Sequence, residues 1–202
     1  MIKYIVQEKF HMISLRNPTP NTSHVFSVEQ IFNNDDFNII EEIVRNGKFE
    51  PAEVNTEQRV NSAIRETNIM WLTGSDQSEP LYQKIAQVVK VVNDTHFCWS
   101  LSHIETLQYG EYNVGGHYDF HFDAPLNSMN KDNRKLSFSI LLNSLDEYQG
   151  GELEIPGQGY GKFKIEKNNA LFFPSSIAHR VCPVTSGIRK SLVGWVHGPN
   201  FV

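Results

Sequence analysis

The spacing of apolar residues changes near the middle of the chain. In the first half, two stretches place them at the 3.6-residue interval of an amphipathic helix. In NNDDFNIIEEIVRNG they are Phe37, Ile40 and Val44, with acidic residues opening the segment and Gly47 stopping it. In SEPLYQKIAQVVKVVNDT they are Leu81, Ile85, Val88 and Val92, with Ser78 as the cap and Pro80 in the first turn. HVFSVEQIF before the first helix and AIRETNIMWL between the two read as strands, and the polar run 48–62 reads as a loop. RNPTPNTS is a turn-rich break behind a short N-terminal arm.

After Asn93 the helical spacing stops. Short apolar segments alternate with Gly- and Pro-bearing turns at 99–110, 116–122, 135–143, 151–155, 162–166, 169–174, 177–183 and 188–197. Strands at that density predict a β-sandwich or jelly roll. Two helices before an all-β half predict helices buttressing one sheet of a barrel-like core. The expectation is one domain over 1–202, with an arm (1–24), a helix-and-strand support (25–95) and a β core (96–200).

Composition narrows the classes. The chain has 202 residues, 40% hydrophobic and 20% charged, which suits a globular protein with a full core. Its formal net charge of −5 offers no general attraction to phosphate backbones or anionic lipid, so neither nucleic acid nor a membrane is expected as a partner. No apolar run of about 18 residues occurs, and the N-terminus lacks the features of a signal peptide. Cys98 and Cys182 are outside any Cys-x-x-Cys pattern and read as reduced, buried small hydrophobes of a cytoplasmic protein.

The candidate chemistry is concentrated in GGHYDFHFDAP, residues 115–125, which holds two His-x-Asp pairs: His117 with Asp119, and His121 with Asp123. In a strand each pair projects to one face. All four residues share parity, so parity does not choose between the pairs. A third ligand must come from elsewhere, and His179 on the apolar strand FFPSSIAHRV is the best candidate. Two imidazoles and a carboxylate form the facial triad of non-haem Fe(II) oxygenases. Ten residues on, Arg189 shares a face with Ser191, Val193 and Trp195. If Trp195 points inward, so does Arg189, and a buried guanidinium needs an anion. A small dicarboxylate would supply one; taken alone, Arg189 reads more simply as half of a structural ion pair.

Together these segments resemble the prolyl 4-hydroxylase-like 2-oxoglutarate/Fe(II) dioxygenases. YNVGGHYDFHFD, from Tyr112 to Asp123, fits their Y-x-x-G-x-x-Y-x-x-H-x-D pattern. RKLSFSILLNSLDEYQGGELEI is similar to their segment ending in G-G-E-L, and ALFFPSSIAHRVCPVTSGIRKSLVGWV to their distal H-x-V-x-P-V-T-x-G-x-R block. IRETNIMWL is similar to their Arg-to-Trp strand, so the resemblance runs over about 25–198. It implies a mainly β fold with buttressing α-helices, the double-stranded β-helix (jelly roll, cupin-like). It implies Fe(II) on His121, Asp123 and His179 as catalytic and metal residues, which leaves His117 at a variable position. Arg189 and Tyr112 would bind the C5 carboxylate of 2-oxoglutarate, although many prolyl 4-hydroxylases have Lys at the former place. Tyr118, Arg134 and Trp195 would line the substrate channel.

The implied reaction consumes O2 and 2-oxoglutarate, releases succinate and CO2 and hydroxylates a C–H bond, with ascorbate as an optional addition. Related halogenases replace the carboxylate with a small residue, so Asp123 points to hydroxylation. The implied partner is a prolyl residue in a peptide or protein; alternatives are another protein residue, a small molecule, or a metal-binding β module without turnover. A nucleic-acid demethylase of the AlkB type would carry a second Arg where this chain has Trp195. His11, His24, His96 and His103 read as solvated, capping or structural residues, and His197 at its strand's end has no assigned role. Trp71 and Trp99 read as core. The polar loops 48–62 and 124–133 are long, and loops around such a mouth often choose substrate; whether these close over it is left open by the sequence.

Overall fold

The computed structural model describes residues 25–53, 61–124, 132–156 and 161–200. In chain order the first elements are β1 (Phe26–Val28), α1 (Asn34–Asn46), β2 (Glu50–Pro51), β3 (Arg65–Glu66), β4 (Asn68–Leu72) and α2 (Glu79–Val92), which runs into a π-helical turn at Asn93–Phe97. Then come β5 (Leu107–Tyr112), β6 (His117–His121), β7 (Asp132–Leu141), β8 (Tyr148–Gly150), β9 (Leu153–Glu154), β10 (Lys162–Phe163), β11 (Ala170–Pro174), β12 (His179–Val181), β13 (Val184–Gly187) and β14 (Arg189–Pro199). The N-terminal arm, residues 54–60 of the first polar loop and residues 125–131 of the second lie outside the described residues, and with them the question of whether the loops close over substrate.

α1 starts where its sequence dictates. Asn33 accepts from the Asp36 N–H, and the Asp36 carboxylate accepts from the Asn33 N–H, a reciprocal capping box. Asp36 is also paired with Lys84 of α2, which ties the helices together. Ser78 does not cap α2 as the sequence suggests. It has helical backbone angles, and its hydroxyl bonds to the Thr73 and Ser75 carbonyls. The α2 stripe buries Leu81, Ile85, Val89 and Val92, so Val89 takes the place expected of Val88.

A large antiparallel sheet runs β1-β11-β7-β14-β5-β4-β2 and a smaller one β10-β9-β12-β6-β3, with β8 and β13 as a separate pair. AIRETNIMWL is therefore two strands in different sheets: Arg65 pairs with Tyr118 of β6, and Asn68 with Glu111 of β5. Glu50–Pro51, expected to be loop, adds an edge strand beside β4. Residues 99–106 are irregular apart from a bridge between Ile104 and Val196.

Alternation assigns the faces. From β7, Leu136, Phe138 and Ile140 join Ala170, Phe172, Leu192 and Val196 under the helices. The opposite face presents Ser137, Ser139, Gln108, Ser191 and Arg189, all buried, toward the smaller sheet. A second apolar cluster, including Leu141, Leu153, Ile155, Leu171 and Phe173, packs between the sheets beside those polar groups. Two facing sheets with helices against one of them are the double-stranded β-helix. Gly194 sits opposite Phe138. A Cβ there would come within 2.3 Å of the Phe138 ring, so the ring packs because position 194 has no side chain.

Cys98 departs from expectation: it is exposed, at a left-handed backbone position, while Cys182 is buried, and both are free. No described helix is long and apolar enough to cross a membrane.

Phe172, 1% exposed between sheet and helices, tests this core. Phe172→Ala is expected to cost about 3–5 kcal/mol, read as a lower urea midpoint with an unchanged slope.

Candidate active site

A cleft of about 290 Å³ opens between the two sheets. His121 at the end of β6 pairs directly with His179 at the start of β12, and the two rings lie 4.2 Å apart. Asp123, two residues beyond His121, brings its carboxylate oxygens to 3.4 Å from each imidazole Nε2. One ligand atom from each residue falls within 4.8 Å of the others.

The surroundings fix which atoms face inward. His121 Nδ1 donates to the Asp119 carbonyl at 2.8 Å, and His179 Nδ1 to the Ile177 carbonyl at 3.0 Å. With the proton on Nδ1, each Nε2 offers its lone pair to the centre. The Ser137 hydroxyl donates to Asp123 Oδ2 at 2.7 Å and meets the Ser175 hydroxyl at 2.8 Å. The Ser175 carbonyl accepts the N–H groups of Asp123 and Ala124. Burial alone would raise the Asp123 pKa; His179, His121 and Ser137 outweigh it and hold the carboxyl well below the usual range. Burial also pushes His179 below the ordinary histidine value. Two imidazole nitrogens and one carboxylate suit a divalent first-row transition metal, so the donor set fits iron.

His117 takes no part. Its ring nitrogens face the Gly115 and Ala63 carbonyls at 2.9 and 3.4 Å. Tyr118, whose parity on a regular strand would turn it away, lies on the cleft wall with its ring stacked 3.5 Å from that of His121. A bulge is the reason. His179 pairs with His121 but Val181 pairs with Tyr118, so β6 holds one extra residue at Asp119–Phe120. The same device recurs on β7. Val196 pairs with Leu136 and His197 with Arg134, leaving Lys135 as the extra residue and turning Arg134 to the side of Ser137.

Arg134 is gripped by Glu105 through two bonds of 2.6 Å, and its guanidinium carbon lies 4.0 Å from the Trp195 ring centroid. Burial pushes the Glu105 pKa up, but the bonds from Arg134 and His197 prevail and lower it. Arg189 is 2% exposed. It donates to the Ser191 hydroxyl at 2.9 Å and lies over Tyr112, opposite it on β5. Among the described residues no carboxylate pairs with Arg189, so the simple ion-pair reading has no support there. Gly151, at φ +65°, makes room for it: a Cβ would come within 2.8 Å of Arg189 Cδ.

Sequence reasoning missed several cleft residues. Trp71 is 37% exposed and meets Trp195 at 6.3 Å, so it is not core as expected, whereas Trp99 is. Arg65 donates to Gln108 at 2.7 Å and covers the Tyr118 ring, with its buried Nε unpartnered among the described residues. Ser137, Ser175 and Glu105 carry no motif of their own. Their one signal is polarity at alternate positions of otherwise apolar strands, which holds for Ser137 and Ser139 on β7.

Ser137→Ala is expected to weaken Co(II) binding about 10–100-fold while the fold is retained, measured by equilibrium dialysis and circular dichroism. Glu105, with a lowered folded-state pKa, contributes stability above its unfolded value that is lost as pH falls through the folded one. Glu105→Gln is thus expected to be less stable than the parent at pH 7. The gap should close well below the ordinary glutamate pKa of about 4.3, in urea unfolding across that range.

Residues 107–197 match the family profile described as the 2OG-Fe(II) oxygenase superfamily. A PKHD-type hydroxylase of Gloeothece citriformis is 42% identical over 94 residues, 46% of this chain and 43% of that protein. One of Idiomarina loihiensis is 30% identical over 154 residues, 74% of this chain and 64% of that protein. The chain spans about half the length of the first curated relatives it matches. In fold it is similar to a prolyl-4-hydroxylase of Pseudomonas putida, with TM-score 0.69, 18% identity and coverage of 89% of this chain and 95% of that one. A prolyl hydroxylase of Trichoplax adhaerens, solved with a hypoxia-inducible-factor peptide fragment, gives TM-score 0.71 at 17% identity, covering 87% of this chain and 84% of that one. Residues 107–197 are thus similar in sequence to the 2OG-Fe(II) oxygenase superfamily, and over most of its length the chain is similar in fold to these two hydroxylases.

Proposed function

We propose that this chain is an Fe(II)- and 2-oxoglutarate-dependent dioxygenase that hydroxylates a prolyl residue in a peptide or protein. One observation carries the reading: a two-histidine, one-carboxylate donor set and a buried arginine with no described carboxylate partner line the same cleft. His121, Asp123 and His179 would hold the iron. Arg189 would take the C5 carboxylate of 2-oxoglutarate as a charge-assisted pair, with the Tyr112 hydroxyl as an added donor.

With iron and 2-oxoglutarate bound, O2 is consumed, 2-oxoglutarate leaves as succinate and CO2, and one oxygen atom enters the substrate C–H bond. The chain's part is orientation and shelter. Ser137 and Ser175 keep Asp123 ionised and aimed. The Asp119 and Ile177 carbonyls keep each imidazole in the ligating tautomer. Phe173 and Leu153 exclude water behind them. Tyr118, Arg134 and Trp195 form an aromatic and cationic wall that suits a proline ring and its flanking amides. Burial raises the Tyr118 pKa, so its phenol stays a neutral donor.

The test is succinate release with Fe(II), 2-oxoglutarate and proline-containing peptides, with the peptides weighed before and after. A gain of one oxygen on proline is expected, and both signals should vanish in His121→Ala and Asp123→Ala. Arg189→Gln should lose about 1.5–3 kcal/mol of cosubstrate binding, roughly tenfold to a hundredfold in its KM. Turnover that survives His121→Ala overturns the oxygenase reading; succinate release that oxidises another substrate overturns only the prolyl one.

A further inference from the structure

A second set of metal-type ligands lies on the far side of the Trp195–Arg134 wall. His103 precedes β5, Asp132 opens β7 and His197 lies near the end of β14. One ligand atom from each comes within 4.8 Å of the others. The His103 and His197 rings stack at 4.6 Å, and His103 Nδ1 is 3.5 Å from Asp132 Oδ2. We propose that His103, Asp132 and His197 form a second divalent-metal site, of the class that takes zinc, separate from the one in the cleft.

Three further observations support a built site. The backbone under it is fixed: Ser102 N–H donates to the His197 carbonyl, His197 N–H to that of His103, and Glu105 N–H to that of Trp195. Pro199 and Asp132 are partners across β14 and β7, so Asp132 and His197 stand on neighbouring strands of one sheet, with His103 held beside them in the irregular stretch before β5. The carboxylate is held, because the Ser102 hydroxyl lies 2.9 and 3.1 Å from the two Asp132 oxygens. The tautomer of one imidazole is set as well. Glu105 is ionised at neutral pH and can only accept, so His197 Nε2, 3.0 Å away, carries the proton and Nδ1 keeps its lone pair. A carboxylate behind a ligating histidine is the usual outer support of a zinc site.

The plain alternative is a solvated surface ion pair. It accounts for His103 beside Asp132, but not for a second imidazole stacked on the first with its own carboxylate behind it. Imidazole nitrogens and one carboxylate suit zinc-class ions over calcium or magnesium, which prefer all-oxygen shells. The His103 and Asp132 side chains are exposed, so an ion enters without opening the fold and water completes its shell. An ion here braces His197, which braces Glu105, which grips Arg134 above Trp195. The site is thus mechanically joined to the cleft wall but uses none of the cleft's ligands.

Zinc counting on a His121→Ala background favours this site, since that variant breaks the cleft's three-donor set. Competition with a chromophoric chelator is expected to show one tight zinc equivalent on the His121→Ala chain. That equivalent should be lost on adding His103→Ala or Asp132→Asn, and weakened about 10–100-fold by Glu105→Gln. Anomalous scattering at the zinc edge should place the ion between the three side chains. Circular dichroism of each variant separates loss of the site from loss of the fold. Zinc binding that His103→Ala and Asp132→Asn leave unchanged, or a folded His121→Ala chain that binds no zinc, overturns the proposal. Neither result bears on the cleft, whose test is turnover.

Discussion

Asp123 and Arg189 carry opposite charges into one buried cleft and do not pair with each other. Each is costly to bury, and the inner faces of both sheets are organised around keeping each charge without cancelling it. Around Asp123 the solution is the two imidazoles of His179 and His121 together with two serine hydroxyls in series, and backbone N–H groups fastened to the Ser175 carbonyl. Around Arg189 it is a hydroxyl, an aromatic ring and the space left by Gly151. The cleft is therefore charged at two places and held at both by named contacts.

Rigidity comes from outside the cleft. The large sheet turns its apolar face to two helices, and the capping box of α1, the Asp36–Lys84 pair and the α2 stripe hold those helices in place. Burial there, worth about 25 cal/mol per Å² of apolar surface, offsets the cost of a polar inner face. This explains why β7 is buried on both sides and still alternates Leu, Ser, Phe, Ser, Ile.

Much of this was legible in the chain. Helical spacing located α1 and α2, and strand density predicted the β half. The motif around Tyr112, Gly115 and Tyr118 picked out His121 and Asp123, the pair the structure places beside His179. Parity on β14 aimed Arg189, Ser191 and Trp195 correctly. What could not be read depends on counting: alternation holds only while strands pair one residue to one residue. A bulge adds a residue on one strand alone, and nothing in Asp119–Phe120 or Lys135 announces it. Tyr118 and Arg134 were therefore aimed only by resemblance. Trp71 was misread because an aromatic residue in a strand looks the same whether it meets a helix or a cleft. AIRETNIMWL showed no break because a strand that changes sheets at Thr67 needs no glycine or proline to do so. The hydroxyls of Ser137 and Ser175 become partners only once β7 and β11 are adjacent, a distance relation across 38 residues.

The Lys135 bulge also says how the cleft can change. Ser137, which secures the carboxylate ligand, lies on one side of the extra residue, and Arg134, which shapes the wall, lies on the other. Were Lys135 drawn into one-to-one pairing opposite His197, Arg134 would slip one step along β14 and turn to the other side, while Ser137 stayed in place. The aim of the wall is thus set by a strand register and not by the arginine itself, so a shift in pairing alone would alter the wall and leave the surroundings of Asp123 intact.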